Sequence, residues 1–145
     1  MVLQPITTID QLKKVKAFLA DVGLPHTDLS LRDTRILGFF RNEELLATAA
    51  VELHEGYWLL RSVAVVKWLR GQQVGQTLVR HLLSLPEVTA SQGVYLLTET
   101  ARDFFHALGF REIHRAQAPR AISASQEFSA VCPQSAIAMK YSLLL

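Results

Sequence analysis

A single cysteine, Cys132, is all the thiol this chain carries. Neither a disulfide framework nor a thiolate metal site can be built from it, and a reducing interior is the simplest compartment. The five histidines (His26, His54, His81, His106, His114) show no HxxxH or HExxH spacing, so no metal is expected. Charge of one sign is also scarce. The net charge is +2, and no cluster of Lys and Arg offers a nucleic-acid surface, although an anionic small molecule is still permitted. No apolar run approaches membrane-spanning length. The opening MVLQPITT lacks the basic and apolar regions of a signal peptide. The expectation is a cytoplasmic protein with neither membrane nor nucleic-acid partners.

What is present is a core. With 145 residues, 50% of them apolar and 19% charged, the chain fits one globular domain over residues 1–145. Residues 8–23 predict a helix: Thr8 and Gln11 make a capping-box pattern, Leu12, Val15, Phe18, Leu19 and Val22 share a face, and Gly23 and Pro25 stop it. TRILGFF (34–40) and LLATAAVEL (45–53) read as strands joined by a polar turn at Asn42–Glu44, and Glu55–Gly56 turns into the strand YWLLRSVAVV (57–66). Residues 75–85 read as a helix ended by Pro86, and VYLLT (94–98) as a buried strand. Thr100 caps a short helix at 101–108, followed by a strand at 111–116, a short helix within 122–130 and a strand at 135–143. This order belongs to an α+β, or mixed α/β, sheet domain.

Between the strand and the helix lies LRGQQVGQT (69–77). A strand feeding a glycine-bearing loop that opens a helix presents unpartnered N–H groups at the positive end of the helix dipole, which suits an anion. The same residues also suit a plain surface turn. A dinucleotide fingerprint fits worse, because GxGxxG is absent and hairpins precede the loop. A Walker loop fails for want of Gly-Lys-Ser/Thr.

VAVVKWLRGQQVG (63–75) resembles the core motif of the GNAT superfamily of acyl-CoA-dependent N-acetyltransferases. Val63, Ala64 and Val65 fill its strand positions and Arg70 and Gly75 match, while Gln73 stands where a first glycine is usual. ARDFFHALGF (101–110) is similar to the family's A-x-x-F-Y-x-x-x-G-F helix, with Phe105 where many relatives carry tyrosine. The order of elements matches over nearly the whole chain. SASQEFSAVCPQSAIAMKYSL (123–143), LLRSVAV (59–65) and LLTETARDFF (96–105) further resemble a small branch known for arsenic resistance.

The resemblance implies a mostly antiparallel sheet with a splayed strand pair and about four flanking helices. It implies acetyl-CoA as acyl donor, a small-molecule amine as acceptor, and a homodimer. The backbone of Val63, Ala64 and Val65 would hold the pantetheine arm. Arg70, Gly71, Gln72, Gln73, Val74, Gly75 and Gln76 would hold pyrophosphate, and Phe104 and Phe105 would flank the arm near the thioester.

For the chemistry, the turn at Glu55–Gly56 sets Glu52 opposite Leu59 with Arg61 one diagonal step away. Glu52 is then the candidate base, or else half of a salt bridge on a solvated face. Arg61 could alternatively grip a substrate carboxylate, which would favour an amino acid as acceptor. Ser62 and Thr98 offer hydroxyls for substrate, or local backbone hydrogen bonds. With phenylalanine at 105, the thiolate leaves unassisted or a hydroxyl such as Ser135 protonates it. Cys132 is an acyl-carrying nucleophile or, more simply, a small buried hydrophobe. Three functions remain open: direct acetyl transfer to a small amine in a ternary complex, a weakly catalytic acyl-CoA sensor or scaffold, and, third in order, acetylation of a protein or peptide.

Overall fold

The computed structural model describes residues 1–128 and 135–142; Cys132 lies outside them. The first helix forms as α1 (Ile9–Asp21), with the capping box in place: Gln11 N–H donates to Thr8 Oγ1 at 3.1 Å and Thr8 N–H donates to Gln11 Oε1 at 3.2 Å. Leu12, Val15 and Leu19 form its buried stripe, and Gly23 ends it at φ +75°. Before α1 runs a strand that the sequence did not signal, β1 (Val2–Pro5). Its four residues, one of them proline, are held on the sheet edge by pairing with β2 and by Leu3 packing against the core.

β2 (Thr34–Arg41), β3 (Glu44–His54) and β4 (Tyr57–Val65) follow as the expected hairpins. In β3 every residue from Leu45 to Val51 is buried. Helices cover both of its faces, so alternation gives way to a continuous apolar run. The register places His54 opposite Tyr57 and Glu52 opposite Leu59, as the two-residue turn at Glu55–Gly56 predicts. Both turn residues have positive φ, 49° and 90°.

The helix after the loop is α2 (Val74–Leu83). Pro86 does more than terminate it, because it starts a one-turn helix, α3 (Pro86–Thr89). β5 (Gly93–Thr98), α4 (Arg102–Ala107), β6 (Phe110–Ile113), α5 (Arg120–Ser123) and β7 (Ile137–Tyr141) complete the described chain. The cap of α4 differs from expectation. Ala101 occupies the N-cap position with no side-chain cap bond, while Thr98 Oγ1 accepts the Ala101 N–H at 3.1 Å.

The seven strands form one mixed sheet in the order β1-β2-β3-β4-β5-β7-β6, in which β4 and β5 run parallel and the other described pairs antiparallel. One face packs Leu37, Ala47, Trp58 and Leu60 against α2, α3 and α4 through Leu78, Leu82, Val88 and Phe105. The other face carries two separate clusters. Ile36, Phe40 and Ala50 sit under α1, and Leu59, Tyr95 and Ala138 sit under Ile122 and Phe128.

Candidate active site

β4 and β5 pair over three positions, Tyr57–Gly93, Trp58–Val94 and Leu59–Tyr95. Beyond them the strands part. β4 continues on β3 to Val65, and β5 continues on β7 to Thr98. The gap opens a cleft of about 990 Å³ lined along β4 by Leu60–Val65, along β5 by Leu96–Thr98, and at its outer end by Arg70, Gly71 and Gln73–Gln76. The edge of β4 facing the cleft therefore has unpaired backbone, the kind of edge to which an extended chain adds as a further strand.

A bulge sits in the middle of that edge. Thr48 pairs Ala64 and Ala50 pairs Arg61, so Ser62 and Val63 together oppose Ala49. Ser62 takes φ 60°, and its carbonyl accepts the Thr48 hydroxyl at 2.8 Å. One extra residue reverses which face a side chain meets. Before the bulge Leu59 packs in the α5 cluster and Leu60 on the α2 face; after it Val63 and Val65 pack on the α2 face and Ala64 under α1. The left-handed conformation costs a serine about 1–2 kcal/mol, and the strain lies beside the opening of the sheet.

At the outer end, the loop is held by Gln72 N–H donating to Leu69 O at 3.3 Å and Arg70 Nε donating to Val65 O at 3.2 Å. The next backbone bond is Thr77 N–H to Gln73 O. Among the described residues the amides of 73 to 76 have no acceptor. Gln73 caps α2 in the left-handed region, φ 64° and ψ 15°, the conformation for which glycine is the ordinary residue. Gly75 is used differently: a Cβ there would lie 3.3 Å from Phe104 Cζ and 3.4 Å from Val65 Cγ2. Its missing side chain lets α2, Phe104 and β4 come together at the cleft. Of the anticipated loop residues, Gln72 is turned away from the cleft lining, with Nε2 on Trp68 O at 3.4 Å. Phe104 and Phe105 both line the cleft, with ring centroids 5.0 Å apart.

The inner end is built from charge. Arg61 projects from β4 onto the face shared by α1 and α5, at the seam between their clusters, and its side chain is fully buried. Asp28, from the loop after α1, takes it in a fork: Nη1 to Oδ2 at 2.6 Å and Nη2 to Oδ1 at 2.8 Å. Nη1 also reaches Glu52 Oε2 at 3.4 Å, and Nε reaches Ser62 Oγ at 3.4 Å and Glu127 Oε1 at 3.5 Å. Glu52 in turn accepts from His54 Nε2 at 2.8 Å. Burial disfavours the Arg61 cation, but hydrogen bonding to Asp28 and the charges of Glu127, Asp28 and Glu52 outweigh it, so its pKa is raised. The hydrogen bond from Arg61 holds Asp28 below the usual carboxylate range. Glu127 is 5% exposed. Burial pushes its carboxyl up to about 7 against the pull of Arg61, with Glu52 and Asp28 adding to the rise and His54 opposing it.

The hairpin register thus brings Glu52 and Arg61 together as the sequence indicates, but as part of a four-membered cluster rather than an isolated pair. With Asp28 in its fork, Arg61 has its bidentate face filled. Arg61, Ser62, Thr98 and Glu127 line the cleft, whereas Glu52 does not, and Ser135 is exposed in a turn outside the lining. Asp28 and Glu127 escaped sequence reasoning because 33 residues separate Asp28 from Arg61 and Glu127 lies in a polar stretch with no periodicity. Among the described residues no group of three or more His, Cys, Asp or Glu is arranged to hold a metal, and no helix is long and apolar enough to cross a membrane.

The family model described as "Acetyltransferase (GNAT) domain" matches residues 32–112, more than half of the chain. Among solved structures, Rv2747 from Mycobacterium tuberculosis, in complex with CoA, is similar at TM-score 0.77 and 19% identity over 99% of this chain and 100% of that one. Escherichia coli ElaA is similar at TM-score 0.70 and 20% identity over 98% and 100% of the two chains. The N-acetylglutamate synthase from Neisseria gonorrhoeae, complexed with coenzyme A and N-acetyl-glutamate, is similar at TM-score 0.71 and 12% identity over 97% of this chain and 35% of that one. At these identities the structures show a shared fold. A comparison with curated protein sequences finds no match.

Proposed function

The chain belongs to the GNAT family of acetyltransferases, and on that premise we propose that it transfers an acetyl group from acetyl-CoA to the amine of a small molecule, directly, in a ternary complex. The observation that carries the reading is the parting of β4 from β5 beyond Leu59 and Tyr95, which joins free loop amides to a buried charged cluster through one cleft. Two similar folds were solved with coenzyme A bound, which supports the donor.

In this reading the amides of 73 to 76 and Arg70 meet the pyrophosphate, a site to which helix dipole and unpartnered N–H groups both contribute. The free edge of β4 at Val63 to Val65 receives the pantetheine arm as an added strand, and Phe104 and Phe105 wall off its thiol end. Positioning supplies much of the rate, because thioester and amine are held together in a bounded cleft. Phe105 cannot donate a proton to the departing thiolate, whose conjugate thiol has an ordinary pKa of about 8.5 and so makes a fair leaving group without it.

Resemblance to the arsenic-resistance branch over 59–65, 96–105 and 123–143 supports assaying an amino acid or a toxic amino-acid analogue as acceptor. The carboxylates around Arg61 favour the cationic end of such a molecule. The test is thiol release from acetyl-CoA across a panel of amines, alongside CoA affinity by calorimetry. Acceptor-dependent thiol is expected. Tight CoA binding with no such thiol would replace this reading with an acyl-CoA sensor or scaffold, for which the strained Gln73 and the absent tyrosine are the supporting features.

A further inference from the structure

An acceptor amine arrives at neutral pH as an ammonium and must shed a proton before its lone pair can attack. Three acidic side chains line the cleft: Glu99, Asp103 and Glu127. Glu99 is exposed, and the Asp103 side chain is 98% exposed and pairs with Arg102, so bulk water surrounds both. Glu127 alone of the three is buried. We propose that Glu127 is the catalytic base that takes the proton from the acceptor ammonium. This assignment rests on the acetyltransferase reading above.

Geometry favours it in two ways. Glu127 stands 3.5 Å from Arg61 Nε; Arg61 adjoins Ser62, whose bulge sits within the free edge that would carry the thioester. Glu127 is also the member of the cluster that can change charge at least cost. Asp28 fills the Arg61 fork at 2.6 and 2.8 Å and Glu52 adds a second contact. The guanidinium therefore stays compensated when Glu127 is neutral. Asp28 lacks that freedom, because its protonation would break the fork, and Glu52 is engaged by both Arg61 and His54. The charged groups facing Glu127 are thus Arg61, Glu52, Asp28 and His54, with Ser62 beside them. A carboxyl raised to about 7 by burial is matched to proton transfer near neutral pH.

The step balances as follows. An ammonium N–H bond breaks and an O–H bond forms on Glu127. The freed lone pair attacks the thioester carbon, the C–S bond breaks with its electrons going to sulfur, and a second proton from nitrogen passes to that thiolate to give the thiol. Glu127 then returns its proton to water.

The test compares wild type, Glu127→Gln, Glu127→Asp and Glu52→Gln, with 1,4-diaminobutane, phenethylamine, glycine and glutamate as probe amines and CoA affinity measured in parallel. Expected is a loss of about 10²-fold or more in kcat/KM for Glu127→Gln, disappearance of the pH inflection near 7, partial rescue by Asp, and unchanged CoA affinity. Glu52→Gln keeps an inflection, moved to lower pH because the Glu52 charge helps to raise the Glu127 carboxyl. An active Glu127→Gln that retains both rate and inflection overturns the assignment and leaves the acetyltransferase reading standing. A wild type that binds CoA yet yields no acceptor-dependent thiol removes both. Independently of turnover, 13C NMR of labelled glutamate in the wild type should show a carboxyl titrating near 7; a spectrum without one also overturns the assignment.

Discussion

At residues 70–76 the chain presents backbone, and at Arg61 it buries side-chain charge; the cleft joins the two. The outer end depends on peptide N–H groups left over where α2 begins, a left-handed Gln73, and a glycine whose missing Cβ admits Phe104 and Val65. Few charges are involved, and Arg70 is tied to a neighbouring carbonyl. The inner end depends on one guanidinium and three carboxylates drawn from a loop, a hairpin and the segment after α5. A backbone site tolerates most side-chain changes that keep its conformation. A buried ionic cluster tolerates few, because removing one partner leaves the others desolvated and uncompensated.

The largest effect expected from that contrast is on stability. Arg61→Ala strands Asp28, Glu52 and Glu127 together and should lower unfolding free energy by about 3–5 kcal/mol. Arg70→Ala at the outer end should change it by less than about 0.5 kcal/mol. Urea denaturation of both variants checks the pair, and equal losses would break the comparison.

Next comes the pH dependence of stability. Glu127 has a folded pKa of about 7 against an ordinary 4.5, so the native state binds the extra proton between those values. Its contribution is complete below 4.5 and is lost as pH rises through 7. Glu127→Gln removes that dependence, and its stability relative to wild type should improve between pH 4.5 and 8 by up to about 3 kcal/mol. Asp28 acts in the opposite direction. Its folded pKa is lowered, so its contribution is present above the ordinary carboxylate range and fades as pH falls.

Two smaller predictions sharpen the outer end. Gly75→Val places methyl groups where Phe104 and Val65 already crowd an added Cβ at 3.3 and 3.4 Å. CoA affinity by calorimetry should fall about tenfold, near 1.4 kcal/mol, with the fold retained by circular dichroism. Gln73→Gly relieves a non-glycine left-handed residue and should stabilise the protein by about 1 kcal/mol or less, read as a rise in the denaturation midpoint.

How much of this was legible follows the same division. The loop and its flanking strand and helix are contiguous in sequence, so glycine placement and apolar periodicity exposed them directly. The Glu52–Arg61 proximity was also legible, because a two-residue turn sets hairpin register by counting. Three things were not. β1 is a short edge strand with no pattern of its own. The expected cap of α4 by Thr100 is absent: Ala101 holds the N-cap position without a side-chain cap bond, and its own amide goes to Thr98 Oγ1 at the end of β5. Asp28 and Glu127 join Arg61 only because α1 and α5 lie side by side on one face of the sheet.

By itself the sequence determined the hairpins, the capped start of α1 and the anion-suited loop, since each rests on local rules of capping, turn chemistry and periodicity. Only the tertiary structure decided where the sheet parts, how one bulged residue at Ser62 reverses the faces of β4, and which carboxylate is left spare beside Arg61. Those outcomes depend on packing distances and on desolvation among groups far apart in the chain, and no local pattern encodes either.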